Sequence, residues 1–270
     1  MQEPPGVERD RSPGVAGYLR AGARGFVFLV VTAFLYLLHI VAVPALGATG
    51  AGSSGRRLSS RLVRSWARMT CRILGMRVTV EGDGPRPPFL LVANHLSYVD
   101  VLVLLSHLDC VFVSRADAAG WPLFGALCRV GGTIFLDRDR VRQIPRAMRE
   151  MESTLESGRG VVLFPEGGTS AGDEVLPFRP SLLEVASVVG LPVSYASLTY
   201  ETPSSAPSAR EAICWWGGMT LLPHLIRLSS LPGFRATVRF GDRTFPPEDR
   251  KVMAEKLWEA VRALFRPVAP

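Results

Sequence analysis

Asn94-His95-Leu96-Ser97-Tyr98-Val99-Asp100 places an imidazole five residues before a carboxylate. Histidine is the side chain best suited to exchanging a proton near neutral pH. A carboxylate behind it can hold one ring nitrogen, fix the tautomer, and stabilise the imidazolium that forms as the other nitrogen takes a proton. The pair therefore reads as a general base, His95, with Asp100 as its orienter. A structural reading stands beside it, because Ser97 with Asp100 three residues on is also a helix N-cap followed by an acidic third residue. Spacing alone leaves both open.

Gly168-Thr169-Ser170-Ala171-Gly172 fits G-x-S-x-G, the nucleophile elbow of serine hydrolases, with His224 and several acids downstream. An elbow serine sits directly between a strand and a helix. Ser170 instead lies beyond a Phe-Pro-Glu turn and precedes Asp173, Glu174, Pro177 and Pro180, which disfavours a lipase or esterase. His39, His107 and His224 fall in apolar stretches and read as structural. The cysteines, at 71, 110, 128 and 214, form no C-x-x-C pair and no cluster with histidine, so no metal is expected and a reducing compartment suits them.

From residue 76 the chain that must position these groups alternates β-rich runs with helical stretches. Strands are predicted at 76–81, 89–93, 110–114, 132–136, 161–164, 191–199 and 235–240, and helices at 97–107, 121–129, 140–157, 180–189 and 247–265. The pattern predicts an α/β domain over 76–270 with a mostly parallel or mixed central sheet flanked by helices. His95 then falls at the carboxyl edge of the strand FLLVA, where open α/β sheets build their sites. Residues 201–210 read as a flexible loop. The aromatic, nearly uncharged 213–226 suits either core or a lipid-facing surface.

The N-terminal part has a different character. Of 270 residues, 47% are hydrophobic and 20% charged, which excludes a disordered chain. The formal net charge of +7 belongs entirely to residues 1–75, which hold ten Arg and three acids. Residues 26–43 carry no charge and would make a helix of about 27 Å, barely enough to span a bilayer core. No clear cleavage site follows, so a signal peptide is disfavoured. After a Gly/Ser-rich break, Arg57, Arg61, Arg64, Arg68 and Arg72 recur at helical spacing beside Leu58, Leu62, Trp66, Met69 and Ile73. That stripe predicts a basic amphipathic helix lying on anionic headgroups with its Trp and Leu side inserted. The expected organisation is a basic flexible start (1–24), a two-helix membrane anchor (25–75) and a domain on the cytoplasmic side of the inner membrane. Nucleic acid is not an expected partner, since the arginines abut an apolar anchor and no recognition module follows.

The spacing H-x-x-x-x-D after Asn94 resembles the first motif of the glycerolipid acyltransferases, the lysophosphatidic acid (1-acylglycerol-3-phosphate) acyltransferase family. Three further segments occur in that family's order. Gly132-Thr133-Ile134-Phe135-Leu136-Asp137-Arg138 is similar to the second motif, Phe164-Pro165-Glu166-Gly167 to the third, and Leu191-Pro192-Val193 more loosely to the fourth. The set spans roughly residues 70–200.

The resemblance implies transfer of a fatty acyl group from acyl-CoA or acyl-ACP, as co-substrate, to the hydroxyl of a lysolipid, without an acyl-enzyme and without a cofactor or metal. His95 would activate the hydroxyl with Asp100 behind it. Arg138 would bind the acceptor's phosphate, with Glu166 and Gly167 helping to hold the acceptor, and Asn94, Gly132 and Pro192 fall within the substrate-binding motifs. The family's third motif commonly continues Thr-Arg-Ser, whereas here Gly168-Thr169-Ser170 stands in its place; the fourth has Ala196 where a second proline is usual, and Ser181 replaces a frequent glycine. The expected acceptor is 1-acylglycerol-3-phosphate, giving phosphatidic acid. Its alternative is lyso-ornithine lipid, because the missing arginine points to a head group other than a phosphate monoester and FPEG-x-x-S-x-G resembles relatives that acylate that lipid. A lipid-binding protein that has lost its chemistry is the non-enzymatic alternative, and intact His95 and Asp100 argue against it.

Overall fold

The computed structural model describes residues 13–48, 52–121, 124–136 and 144–269. Its strands are β1 (Met76–Glu81), β2 (Leu90–Ala93), β3 (Cys110–Arg115), β4 (Ile134–Leu136), β5 (Gly160–Leu163), β6 (Val193–Glu201) and β7 (Phe234–Phe240). They form one sheet in the order β1-β7-β6-β2-β5-β3-β4. Only the β6–β7 pair is antiparallel, so the sheet is mixed with a parallel centre. The central strands, LLVA and GVVL, are buried along their whole length, as expected where helices cover both faces.

The helices are α1 (Val15–Ala48), α2 (Gly52–Ile73), α3 (Val99–His107), α4 (Phe124–Gly131), α5 (Ile144–Glu156), α6 (Glu184–Val189), α7 (Ala209–Ala212), α8 (Leu221–Ser230) and α9 (Arg250–Leu264). Alternate side chains of each strand point to opposite faces and so build two cores. Leu91, Ala93, Phe112 and Leu198 pack with Cys71 of α2, Val103 of α3 and Leu228 of α8. Leu90, Val92, Val161 and Leu163 pack with Met151 of α5 and Leu257 of α9.

All seven expected strands are present, and the five expected domain helices fall within their predicted ranges apart from small shifts at the ends. The stretch read as loop or apolar core contains α7 and α8 as well. Pro223 lies in the first turn of α8, where a missing N–H costs nothing because that turn has no intrahelical acceptor for it.

The apolar run lies inside the longer α1, so residues 15–24, expected as flexible, are helical. Thr32 and His39 on α1 bond Trp66 and Ser59 on α2 at 3.0 and 2.9 Å, a pairing in which one number rises as the other falls. The two helices are therefore antiparallel. The Trp66 side of α2 faces α1, not outward as expected for an inserted face, while Arg57, Arg61, Arg68 and Arg72 stay exposed. At its other end α1 is tied to α8, where Arg24 Nη1 donates to the Ser229 and Leu231 carbonyls at 2.9 and 2.6 Å. One helix among the described residues, α1, is long and apolar enough to cross a membrane.

Candidate active site

The turn from β2 into α3 carries His95 and Asp100. The Asp100 carboxylate is fully buried, and its Oδ2 accepts hydrogen bonds from His95 Nδ1 at 2.7 Å, Leu96 N at 2.7 Å and Ser97 N at 3.0 Å. Asp100 thus organises the helix entry and orients the imidazole with the same oxygen, so the capping and catalytic readings of the motif describe one arrangement. Ser97 supplies no side-chain cap; its Oγ is buried without a partner. With Nδ1 donating to Asp100, the His95 Nε2 is left as an acceptor. It has no protein partner among the described residues, and the side chain is 19% exposed.

The segment after β5 holds His95 from three sides. Glu166 Oε1 accepts from the His95 backbone N–H at 2.9 Å, the Ser170 N–H donates to the His95 carbonyl at 2.9 Å, and the Phe164 ring stacks on the imidazole. Gly167 makes this path possible, closing the turn onto the Phe164 carbonyl with a φ of 84°, in the left-handed region glycine favours. Burial pushes the Glu166 carboxyl up to about 8, against the lowering effect of the His95 and Leu176 backbone N–H groups. From the fourth side, Tyr200 at the end of β6 donates its hydroxyl to Asp100 Oδ1 at 2.5 Å. Nothing local in the sequence marks Tyr200, which follows Asp100 by a hundred residues.

His95, Asp100, Glu166 and Gly167 therefore converge at the carboxyl edge of the parallel strands. Asn94 is adjacent, but its amide is committed to the sheet, donating to and accepting from the Leu198 backbone at 3.0 and 2.7 Å. Gly132 and Pro192 lie elsewhere. Pro192 immediately precedes β6, whose Val193 is level with Leu90, so it sits at the opposite edge, roughly 10–15 Å away by strand rise. Gly132 precedes β4 at that same far edge. It ends α4, with a φ of 78° and the paired bonds Gly132 N to Arg129 O and Thr133 N to Cys128 O that stop a helix. Arg138 lies outside the described residues, two positions beyond the end of β4.

The elbow arrangement is not formed. Ser170 lies in irregular chain with no helix directly after it. His224 is turned away from it, its Nδ1 accepting from the Tyr98 hydroxyl at 2.9 Å and its Nε2 donating to the Cys214 carbonyl at 3.1 Å. Among the described residues no cluster of His, Cys, Asp or Glu could hold a metal ion.

The family model described as Acyltransferase matches residues 77–196, the stretch that contains His95, Asp100, Glu166 and Gly167. The chain is 35% identical over 193 residues to the lyso-ornithine lipid O-acyltransferase of Rhizobium meliloti, covering 67% of this chain and 66% of that one. It is 34% identical over 225 residues to the enzyme of that name from Pseudomonas aeruginosa, covering 81% and 84%. With the 1-acyl-sn-glycerol-3-phosphate acyltransferase of Neisseria meningitidis it shares 28% identity over 207 residues, covering 76% and 81%. Among solved structures, the 1-acyl-sn-glycerophosphate (LPA) acyltransferase PlsC of Thermotoga maritima matches with a TM-score of 0.57 at 22% identity, covering 89% of this chain and 97% of that one, a likeness of fold. With its imidazole–carboxylate pair inside the matched domain, the chain belongs to the acyltransferase family that includes the lyso-ornithine lipid and 1-acyl-sn-glycerol-3-phosphate enzymes.

Proposed function

We propose that this protein is a membrane-anchored O-acyltransferase in which His95 Nε2 is the general base, and that its preferred acceptor is lyso-ornithine lipid. The observation that carries the base assignment is the 2.7 Å hydrogen bond between His95 Nδ1 and the Asp100 carboxylate, which leaves Nε2 to act as the acceptor at a partly open edge of the sheet. The acceptor hydroxyl attacks the thioester carbonyl of acyl-CoA or acyl-ACP as Nε2 removes its proton. Collapse of the tetrahedral intermediate expels the thiolate, which takes the proton back from the imidazolium, leaving an ester and a free thiol. Arg138 is assigned to an anionic group of the acceptor. No cofactor or metal enters this sequence of steps.

The acceptor assignment is supported by the relatives named lyso-ornithine lipid O-acyltransferase and by the chain after Glu166-Gly167. There the family's arginine is absent, Thr169 Oγ1 is bonded to the Trp215 carbonyl, and the Ser170 N–H is used on His95. Lysophosphatidic acid is the second reading, favoured by the relatives and fold match of that activity. We place α1 in the inner membrane, α2 with its exposed arginines at the anionic headgroups, and the domain on the cytoplasmic side; the exposed apolar surface of α1 supports this.

Detergent-purified protein offered labelled acyl-CoA and acyl-ACP, with lyso-ornithine lipid and lysophosphatidic acid side by side, tests these assignments. Ester formation should vanish in His95→Ala, and the lyso-ornithine product should dominate. Activity surviving in His95→Ala would remove the base; a large preference for lysophosphatidic acid would reverse the acceptor assignment.

A further inference from the structure

We infer that Tyr200 is a positioning residue for the His95–Asp100 pair, its phenolic O–H fixing the second oxygen of the Asp100 carboxylate and, through it, the orientation and basicity of the imidazole. The inference rests on the reading of His95 as the general base.

Tyr200 belongs to the run Ala196, Leu198 and Tyr200 that points from β6 into the core beneath α3, and it is fully buried. A phenol in such a place is costly to desolvate unless its hydroxyl finds a partner, and packing alone would be served by phenylalanine. Its O–H donates to Asp100 Oδ1 at 2.5 Å. The two carboxylate oxygens are used differently. Oδ2 takes His95 Nδ1 and the Leu96 and Ser97 N–H groups, whereas Oδ1 has Tyr200 as its one partner among the described residues. Without that donor, a buried carboxylate oxygen would be unsatisfied and the group could turn about its own axis.

The consequence for the base has a sign. Each hydrogen bond to Asp100 spreads its negative charge, so the bond from Tyr200 weakens the hold of the carboxylate on an imidazolium. Removing it strengthens that hold. The acid limb of kcat/KM should then move to higher pH. The other titratable groups near Asp100 or Tyr200 are Glu166, Cys71 and Cys214, besides His95. Burial pushes the Cys71 thiol up to about 11 and the Cys214 thiol up to about 12, so both stay neutral through the assay range. Glu166 is common to wild type and variant, and the difference between them reports Tyr200.

The test compares wild type, Tyr200→Phe, His95→Ala and protein carrying 3-fluorotyrosine at position 200, a stronger donor of nearly the same shape, by steady-state kinetics from about pH 5.5 to 9. Tyr200→Phe should lose about tenfold in kcat with acceptor KM within about twofold, and its acid limb should move to higher pH. The fluorinated protein should move the limb the other way, and it decides the matter if Tyr200→Phe does not fold. An acid limb unmoved in both, or wild-type kcat in a folded Tyr200→Phe, would overturn the role of Tyr200 while an inactive His95→Ala left the base in place. An active His95→Ala would instead remove the base, and this inference with it.

Discussion

The ring of Phe164 lies flat against the imidazole of His95, with centroids 4.0 Å apart and planes within 8° of parallel, and Phe112 stacks behind it at 5.8 Å. The base is thus held by a ring face as well as by Asp100, and that face carries the negative end of an aromatic quadrupole. A ring in this position limits rotation of the imidazole and favours it most when it is charged, as it is during acyl transfer.

Phe164→Leu keeps an apolar side chain and removes the face. We expect kcat to fall by about three- to tenfold, as a loss of about 1 kcal/mol at the imidazolium stage implies, with acceptor KM little changed. Saturation kinetics check this, and an unchanged kcat would make the stack a packing contact only.

Glu166 gives a pH-dependent stability. Burial raises its carboxyl from 4.5 to about 8, so the folded protein holds that proton more tightly than the unfolded chain. The stabilisation is full below about pH 4.5 and is lost as pH rises toward 8. Glu166→Gln keeps an oxygen to accept the His95 N–H and has no charge to bury. Its melting temperature should gain on wild type between pH 5 and 8, by an amount corresponding to a few kcal/mol at the upper end. Parallel melting curves at both pH values would show that the carboxyl ionises without penalty.

The strands and the His95–Asp100 pair were legible because both are local. An apolar β-rich run such as FLLVA announces a buried strand, and five residues in one turn announce a site at its end. The surroundings of His95 are not local. Phe164, Ser170 and Tyr200 reach it from β5, from the chain after β5 and from β6, and only the sheet register brings them together. The positions of Gly132 and Pro192 are likewise not local, since sequence order joins them to the motifs and parallel strand direction carries them to the opposite edge. α8 escaped notice because Pro223 reads as a breaker until the helix is known to begin at Leu221.

The outer face of α1 tests the anchor. Val30, Phe34, Leu37 and Val41 recur at helical spacing and are 52%, 66%, 59% and 61% exposed, an apolar stripe left uncovered by the described residues. Phe34→Asp with Leu37→Asp puts two charges where lipid is expected, at about 2.5–3.5 kcal/mol each near a bilayer centre. The double variant should leave the membrane fraction on flotation, and retention at wild-type level would show that this stripe does not contact lipid.

His224 gives the opposite pH dependence, from the helix that fastens α1 to the catalytic turn. Its neutral ring accepts from the hydroxyl of Tyr98, which adjoins Ser97, and donates to the Cys214 carbonyl; the next residue, Trp215, donates its N–H to the Leu96 carbonyl at 2.8 Å. Burial lowers its pKa from 6.5 to about 4. The folded state therefore binds this proton less readily than the unfolded chain, and the stability His224 contributes is full above about pH 6.5 and lost as pH falls toward 4. A tenfold difference in proton affinity corresponds to about 1.4 kcal/mol, so the loss across the window is on the order of 3 kcal/mol. His224→Gln can still bond one neighbour and cannot be protonated. It should be less stable than wild type at pH 7.5, and the gap should narrow as pH falls from 6.5 to 4.5. Because protonation would also break the bond to Tyr98 beside the base, activity lost at pH 5 should recover fully in wild type on return to pH 7.5 if the change is local. A gap in melting temperature that stays constant with pH would mean that His224 is charged or solvated in the fold and does not hold the catalytic turn as a neutral ring.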